Sequence, residues 1–163
     1  MANKTLGLPD SPRKLVYRKL VSILRGNAKL KHAVRTWKVF DASSGADDAA
    51  IAEGELPAVR LLPFGQGATP ETPTTQNSPL GIRVEVYTDG YNLDDLLDLW
   101  GAIEAAIFTG DGAENARTAI KSVWPNTQAI RLSQPGITPN PPDLPNGVLC
   151  GVGTLIVEMT VPH

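Results

Sequence analysis

The residues best suited to chemistry cluster in DGYNLDDLLDLW, from Asp89 to Trp100, where four carboxylates share twelve positions with a glycine and an asparagine. A calcium loop of the EF-hand type needs oxygen ligands at positions 1, 3 and 5, glycine at 6 and a bidentate glutamate at 12. Counted from Asp89, position 3 is Tyr91, position 5 is Leu93 and position 12 is Trp100, so the pattern fails. General acid–base work asks for a carboxylate with a shifted pKa in a cleft. Asp94 and Asp98 stand one helical turn apart and read as solvated. Capping accounts for the same residues. Asn92 is placed to accept a backbone N–H at a helix start, and Asp94 and Asp95 sit in the first turn, where the helix dipole favours negative charge by about 0.3–1 kcal/mol each. Gly90 supplies the unusual backbone angle of the turn.

Other arrangements carry less. The two histidines are His32, among lysines, and His163, the last residue, which leaves no metal-ligand spacing. There is no Gly-x-Ser-x-Gly elbow, no Walker loop and no strand-linked G-x-G-x-x-G; Gly65 and Gly67 lack a lysine and a following helix. Catalytic, cofactor-binding and metal-ligating residues are therefore assigned to none of the chain, and the expectation is a protein that is not an enzyme. Lys29, Lys31, His32, Arg35, Trp37 and Lys38 mix cations with one aromatic, but no stacking platform or zinc-finger spacing accompanies them. That leaves weak contact with a nucleic-acid backbone as the most such a patch offers.

The elements that must position these residues follow from periodicity. Ser11-Pro12 is a helix start, and Leu15, Val16, Leu20, Ile23 and Leu24 recur at helical spacing to Gly26-Asn27, giving an amphipathic helix over 12–25. Arg13, Lys14, Arg18, Lys19 and Arg25 fall off that stripe as a basic outer face. Residues 34–40 read as a strand whose start is able to extend a short second helix from Asn27, and 57–64 as another, bracketed by prolines. The fifteen residues 65–79 hold nothing apolar larger than alanine or proline and read as a long hairpin tip. In 80–88, Ile82, Val84 and Val86 alternate with Arg83, Glu85 and Tyr87. Leu93, Leu96, Leu97, Trp100, Ile103 and Ile107 stripe a helix that ends near Phe108. Residues 113–124 fit a short helix or a loop, 127–135 a strand, and 136–147, with four prolines in twelve residues, a loop. A fourteen-residue terminal strand spans about 46 Å at ~3.3 Å per residue. Either Gly151 and Gly153 bend it or part of it leaves the domain.

The predicted class is α+β: a mostly antiparallel sheet of four to five strands, two helices packed on one face, and an extended β-hairpin, all in a single domain over 1–163. With 163 residues and 42% apolar content the chain is long enough for a real core. No apolar run approaches the ~20 residues that span a bilayer, so no membrane contact is expected, and the N-terminus does not read as a signal peptide. The lone Cys150 fits a reducing cytoplasm or a buried small hydrophobe. Residues 1–40 carry ten Lys or Arg and one acid, and 41–163 the other five cations and sixteen acids, so the halves hold about +9 and −11. Either the basic half faces the chain's own acidic half, or it faces an acidic partner or nucleic acid.

Taken together, an N-terminal helix, LPAVRLLPF, a long polar hairpin, IRVEVYTDG, the helix NLDDLLDLWGAIEAAIF and a terminal strand resemble the tail terminator proteins of long-tailed bacteriophages in element order and length. The LPAVRLLP strand and the strand-to-helix unit over 82–108 carry most of the likeness. The resemblance implies an α+β subunit of a hexameric ring that caps the finished tail tube, ends its polymerisation and joins the tail to the head–neck connector. It also implies a place in the virion, assembly in the host cytoplasm, and a lumen through which DNA passes without sequence-specific binding. Implied partners are other copies of the chain, the tail tube protein, the neck or connector protein and the sheath protein where a tail has one. No catalytic residues and no cofactors belong to the family. Expected contact residues are Gln66, Thr69, Glu71, Thr74, Gln76 and Asn77 on the hairpin tip, with Arg18, Lys19 and Arg25 on the basic helix, and the terminal strand is expected to pair across subunits. The rival readings are another neck component (stopper or adaptor), a small nucleic-acid-binding module, and an enzyme whose site the residues do not reveal.

Overall fold

The structure, a computed structural model, describes residues 8–39, 50–65, 69–70, 73–109 and 116–162. Helices α1 (Pro12–Gly26) and α2 (Ala28–Ala33) lead into β1 (Thr36–Val39), then β2 (Ala58–Gly65), β3 (Thr69–Pro70), β4 (Thr75–Asn77) and β5 (Leu80–Thr88). Helices α3 (Leu93–Phe108) and α4 (Ala116–Val123) follow, then β6 (Thr127–Leu132), β7 (Gly136–Pro139) and β8 (Leu149–Pro162). The class is α+β, with a mixed, mostly antiparallel open sheet; β1–β2 is its parallel pair among the described residues. Two counts need correction. Among the described residues four helices are present rather than two, because α2 forms beyond Asn27 and 116–123 is helical. Among the described residues eight strands are present rather than four or five, because short strands β3, β4 and β7 form inside segments that lack apolar periodicity.

β8 explains most of the architecture. Along one side, β5 and β4 pair with it in one unbroken register from Thr88↔Leu149 to Thr75↔Pro162. Along the other side run β7, opposite 149–152, and β6, opposite 155–159, with Ser133 N–H bonding the Thr154 carbonyl between them. The fourteen residues are thus central, neither bent away nor extending beyond the domain. Gly136–Pro139, expected in a loop, is strand β7.

Alternation along β8 then assigns the faces. Leu149, Leu155, Val157, Met159 and Val161 are buried under the helices, together with Ile82, Val84 and Val86 of β5 and Val59 and Leu61 of β2. Val16, Leu20 and Leu24 of α1, Leu30 of α2, Leu96, Trp100 and Ile103 of α3 and Ile120 of α4 complete that core, so all four helices cover one face. Gly151 and Gly153 serve this packing. A Cβ on Gly153 would lie 2.6 Å from the Trp100 ring, and one on Gly151 3.0 Å from Leu96. The missing side chains let α3 descend onto the sheet.

The α1 stripe shifts slightly: Tyr17 joins the buried set while Leu15 and Ile23 are half-buried. The α3 stripe shifts more. Leu99 and Ala106 are buried, whereas Leu93 and Leu97 are 44% and 46% exposed.

Candidate functional site

The strand-to-helix joint is built as a cap. Asn92 Oδ1 accepts the Asp95 N–H at 3.0 Å, and its Nδ2 donates to Asp95 Oδ2 at 2.8 Å. Gly90 (φ 67°) and Tyr91 (φ 52°) take left-handed backbone angles to make the turn. The joint is also tied to the proline-rich segment: Tyr91 N–H bonds the Gly147 carbonyl, and the Tyr91 hydroxyl donates to Asn140 Oδ1 at 2.9 Å. Asn140 Oδ1 accepts the Gly147 N–H as well. Asp94, Asp95 and Asp98 are exposed. Among the described residues, no three His, Cys, Asp or Glu side chains converge as a metal site.

The expected contact residues are partly dispersed. Gln66 and Glu71 lie outside the described residues, and Thr69 is in β3. Thr74 is exposed. Gln76 and Asn77, expected on a free tip, belong to β4 and pair with Val161 and Thr160 of β8. The Asn77 amide also donates to Glu158 at 3.2 Å, and Arg131 holds the other Glu158 oxygen. The root of the tip meets α1, where Arg13 donates to the buried Ser78 hydroxyl. On α1 itself, Arg18 and Arg25 are exposed beside Tyr17 and Val21, and Lys19 is half-buried. The expected pairing of the terminal strand across subunits is overturned for Leu149 to Met159, where β8 has strand partners along both sides; its last residues pair with β4 on one side.

The basic half packs onto the acidic half through the shared core, and its charges are matched there only in part. Among the described residues its ion pairs are Lys14–Asp10, within α1's own entry, and Lys38–Glu55 at 3.0 Å. Glu55 is held below the usual carboxylate range by the Ala52 N–H and by Lys38. The remaining ion pairs, Arg60–Glu85, Arg83–Glu85 and Arg131–Glu158, join residues of the acidic part to one another.

A polar cluster that the sequence reading did not single out lies on the sheet face away from the helices. Register places Ala58, Tyr87 and Cys150 in one row across β2, β5 and β8, and Arg60, Glu85 and Val152 in the next. Glu85 is 2% exposed and takes both Arg60 Nε and, at 3.0 Å, Arg83 Nε. Arg60 also donates to the Tyr87 hydroxyl at 3.0 Å and lies over its ring, 5.6 Å from the centroid. Burial alone lowers the Arg60 pKa, but the hydrogen bond to Glu85 and the neighbouring charges raise it overall. Burial, with Cys150 and Glu85 nearby, pushes the Tyr87 phenol well above its ordinary value, and burial also pushes the Cys150 thiol up. Ile51, Pro141, Pro142, Asp143 and Leu144 wall a concavity of about 500 Å³ above the cluster. Its guanidiniums are engaged by Glu85, and Leu144 and Ile51 pack against the apolar row of Ala58, Tyr87 and Cys150, so the arrangement reads as a structural seam under the 138–144 segment. The signal for it was present: Arg83, Glu85 and Tyr87 alternate, and a hairpin register sets Arg60 opposite Glu85.

No protein-family model matches the chain, and no curated protein matches it in sequence.

Proposed function

We propose that the chain is a structural virion protein that assembles as a ring, of six copies by its resemblance to tail terminators. The ring caps the phage tail tube, ends its polymerisation and joins the tail to the neck or connector protein, with the sheath protein as a further neighbour where one exists. The observation that carries this reading is the order and packing of the elements: an N-terminal helix, a long-tipped hairpin and a strand-to-helix unit, all locked to one central terminal strand. The joint at 89–95 is spent on capping and on holding the proline-rich segment, which suits a fixed corner of a scaffold better than a reacting centre. Contact with the tube falls to the hairpin segment between β2 and β4, and the cations of α1 and α2 face an acidic neighbour or DNA in the lumen.

The test is to polymerise tail tube protein with and without the purified chain and image the products by negative stain. Uniform short tubes ending in six-fold rings are the expected result. Tubes that grow unchanged and carry no terminal density refute it. Replacing 66–74 with a short Gly/Ser turn, which spares β4, should abolish capping while the fold remains. Rings that form on a neck complex rather than on tubes would select the stopper or adaptor instead. The uncompensated basic surface gives one observation to the nucleic-acid reading. Salt-dependent micromolar DNA binding without any tube binding would select it.

A further inference from the structure

We propose that two opposite flanks of the domain form a head-to-tail contact between copies of this chain: an apolar, acid-rimmed flank made by α3 and β7, and a basic flank made by α2 and β1. This rests on the ring reading above and names the surfaces that reading needs. Most of the terminal strand is unavailable for the task, since β8 is paired on both sides up to Met159. The outer strands of the sheet are β1 and the two-residue β3 on one side of β8, and β7 with β6 on the other.

The first flank holds an apolar centre. Leu93 and Leu97, one turn apart on α3, fall on the side of the helix next to Trp100, which packs over Gly153 of β8. Ile137 of β7 pairs with Gly151 and so points to the same face of the sheet as α3, where it is 41% exposed. Leu93, Leu97 and Ile137 are thus three exposed large apolar side chains on the helix-covered face of the sheet, and exposed apolar surface of this kind marks a contact surface where it is contiguous. Asp94 and Glu104 border them on α3 and, among the described residues, have no cation within ion-pair distance.

The second flank has the complementary character. α2 lies along the other side of α3, where Lys29 and Ala33 face Asp95, Asp98 and Ala102 across a groove. Beyond that groove Lys31, His32 and Arg35 are exposed, with no carboxylate partner among the described residues. The half-buried Trp37 on β1, an outer strand, gives this basic rim an apolar centre. An apolar centre with an acidic rim thus faces one way, and an apolar centre with a basic rim faces the other. Two different surfaces on opposite flanks make a heterologous contact, which propagates head to tail, the kind of contact a closed ring requires. Charge complementarity fixes the direction and the register.

The test uses the full chain in analytical ultracentrifugation at low and high salt, with two variants. Leu97→Asp blocks the first flank, and Lys31→Glu/Arg35→Glu blocks the second; both sites are exposed, and circular dichroism checks the fold. The wild-type chain is expected to self-associate, more weakly as salt screens the rims. Each variant alone should associate at least about tenfold more weakly. An equimolar mixture of the two variants should stop at a dimer, because each retains one intact flank. A wild-type chain that stays monomeric at its highest concentration, variants that associate like it, or a mixture that gives no dimer each overturn the proposal. Parallel tube-capping assays separate the two readings. If both variants cap tubes normally, the flank assignment fails and the ring reading stands. If the chain associates through these flanks but ignores tubes, the ring-capping reading fails and the assignment stands.

Discussion

Gly153→Ala and Gly101→Ala make the same chemical change 52 positions apart, and the structure gives them opposite signs. At Gly153 the new methyl would stand 2.6 and 2.7 Å from two carbons of the Trp100 ring, and 3.0 Å from the Ser133 hydroxyl. Trp100 is 3% exposed and its helix is seated on the core, so the ring has no solvent to retreat into. Overpacking of this kind costs about 1–3 kcal/mol. The smaller entropy of an unfolded chain with alanine returns about 0.4–1 kcal/mol. The expected net loss therefore lies between about 0 and 2.6 kcal/mol, centred near 1.3 kcal/mol, a fall in Tm of roughly 3–5 °C at ~2–4 °C per kcal/mol for a chain of this size. At Gly101, exposed in the middle of α3 with nothing within 4 Å of a built Cβ, alanine removes only the helix penalty of glycine. That gain is about 0.5–1 kcal/mol, or a rise of roughly 1–4 °C. Thermal unfolding followed by circular dichroism, on dilute protein at high salt to keep association out of the reading, measures both. Trp100→Phe shortens the ring at the point of collision and removes an indole N–H that finds no acceptor. In the Gly153→Ala background it should recover part of the loss, with a coupling of at least about 0.5 kcal/mol. A Gly153→Ala chain as stable as the parent, or a Gly101→Ala chain less stable, would show that α3 does not rest on β8 through these glycines.

Four further outcomes are expected. Asn92→Ala removes the cap of α3 and should lower stability by about 1 kcal/mol in urea unfolding, while Asn92→Asp should be near neutral. Glu85→Gln takes the shared carboxylate from Arg60 and Arg83 and should cost about 1–3 kcal/mol, whereas Arg83→Gln, at a half-exposed position, should cost less than about 1 kcal/mol. Because burial raises the Cys150 and Tyr87 pKa values in the fold, their contribution is complete below the unfolded values. It should be lost as pH climbs from about 8.5, so alkaline denaturation midpoints should rise in Cys150→Ala, and the native thiol should resist labelling by an aromatic disulfide until the chain unfolds. Glu55 is depressed from 4.5, so its contribution is present above that pH and drains away as pH falls through the lower folded value; Lys38→Ala should flatten this part of an acid titration of stability.

Much of the local structure was determined by the sequence alone. Ser11 does accept the Lys14 N–H with Pro12 behind it, Asn92 does cap α3, β5 lies where apolar alternation predicts, and β2 and β8 lie in the segments expected to be strands. These features are settled within a few residues, by backbone donors that need acceptors and by side chains that repeat every 2 or 3.6 positions. What the sequence left open was decided by register between distant segments. Helical spacing makes Leu93 and Leu97 as apolar as Leu99 and Ala106, but only the placement of α2 and β8 says which flank of α3 is covered. Arg83, Glu85 and Tyr87 read as a wet face until the β2–β5 register sets Arg60 opposite Glu85 and the 138–144 segment closes over them. The length of β8 looked like material for a neighbouring subunit. Only the tertiary structure showed that 75–88 pair along the whole of one side of it and 127–139 along the other as far as Met159, because strand pairing joins residues whose spacing along the chain no local pattern records.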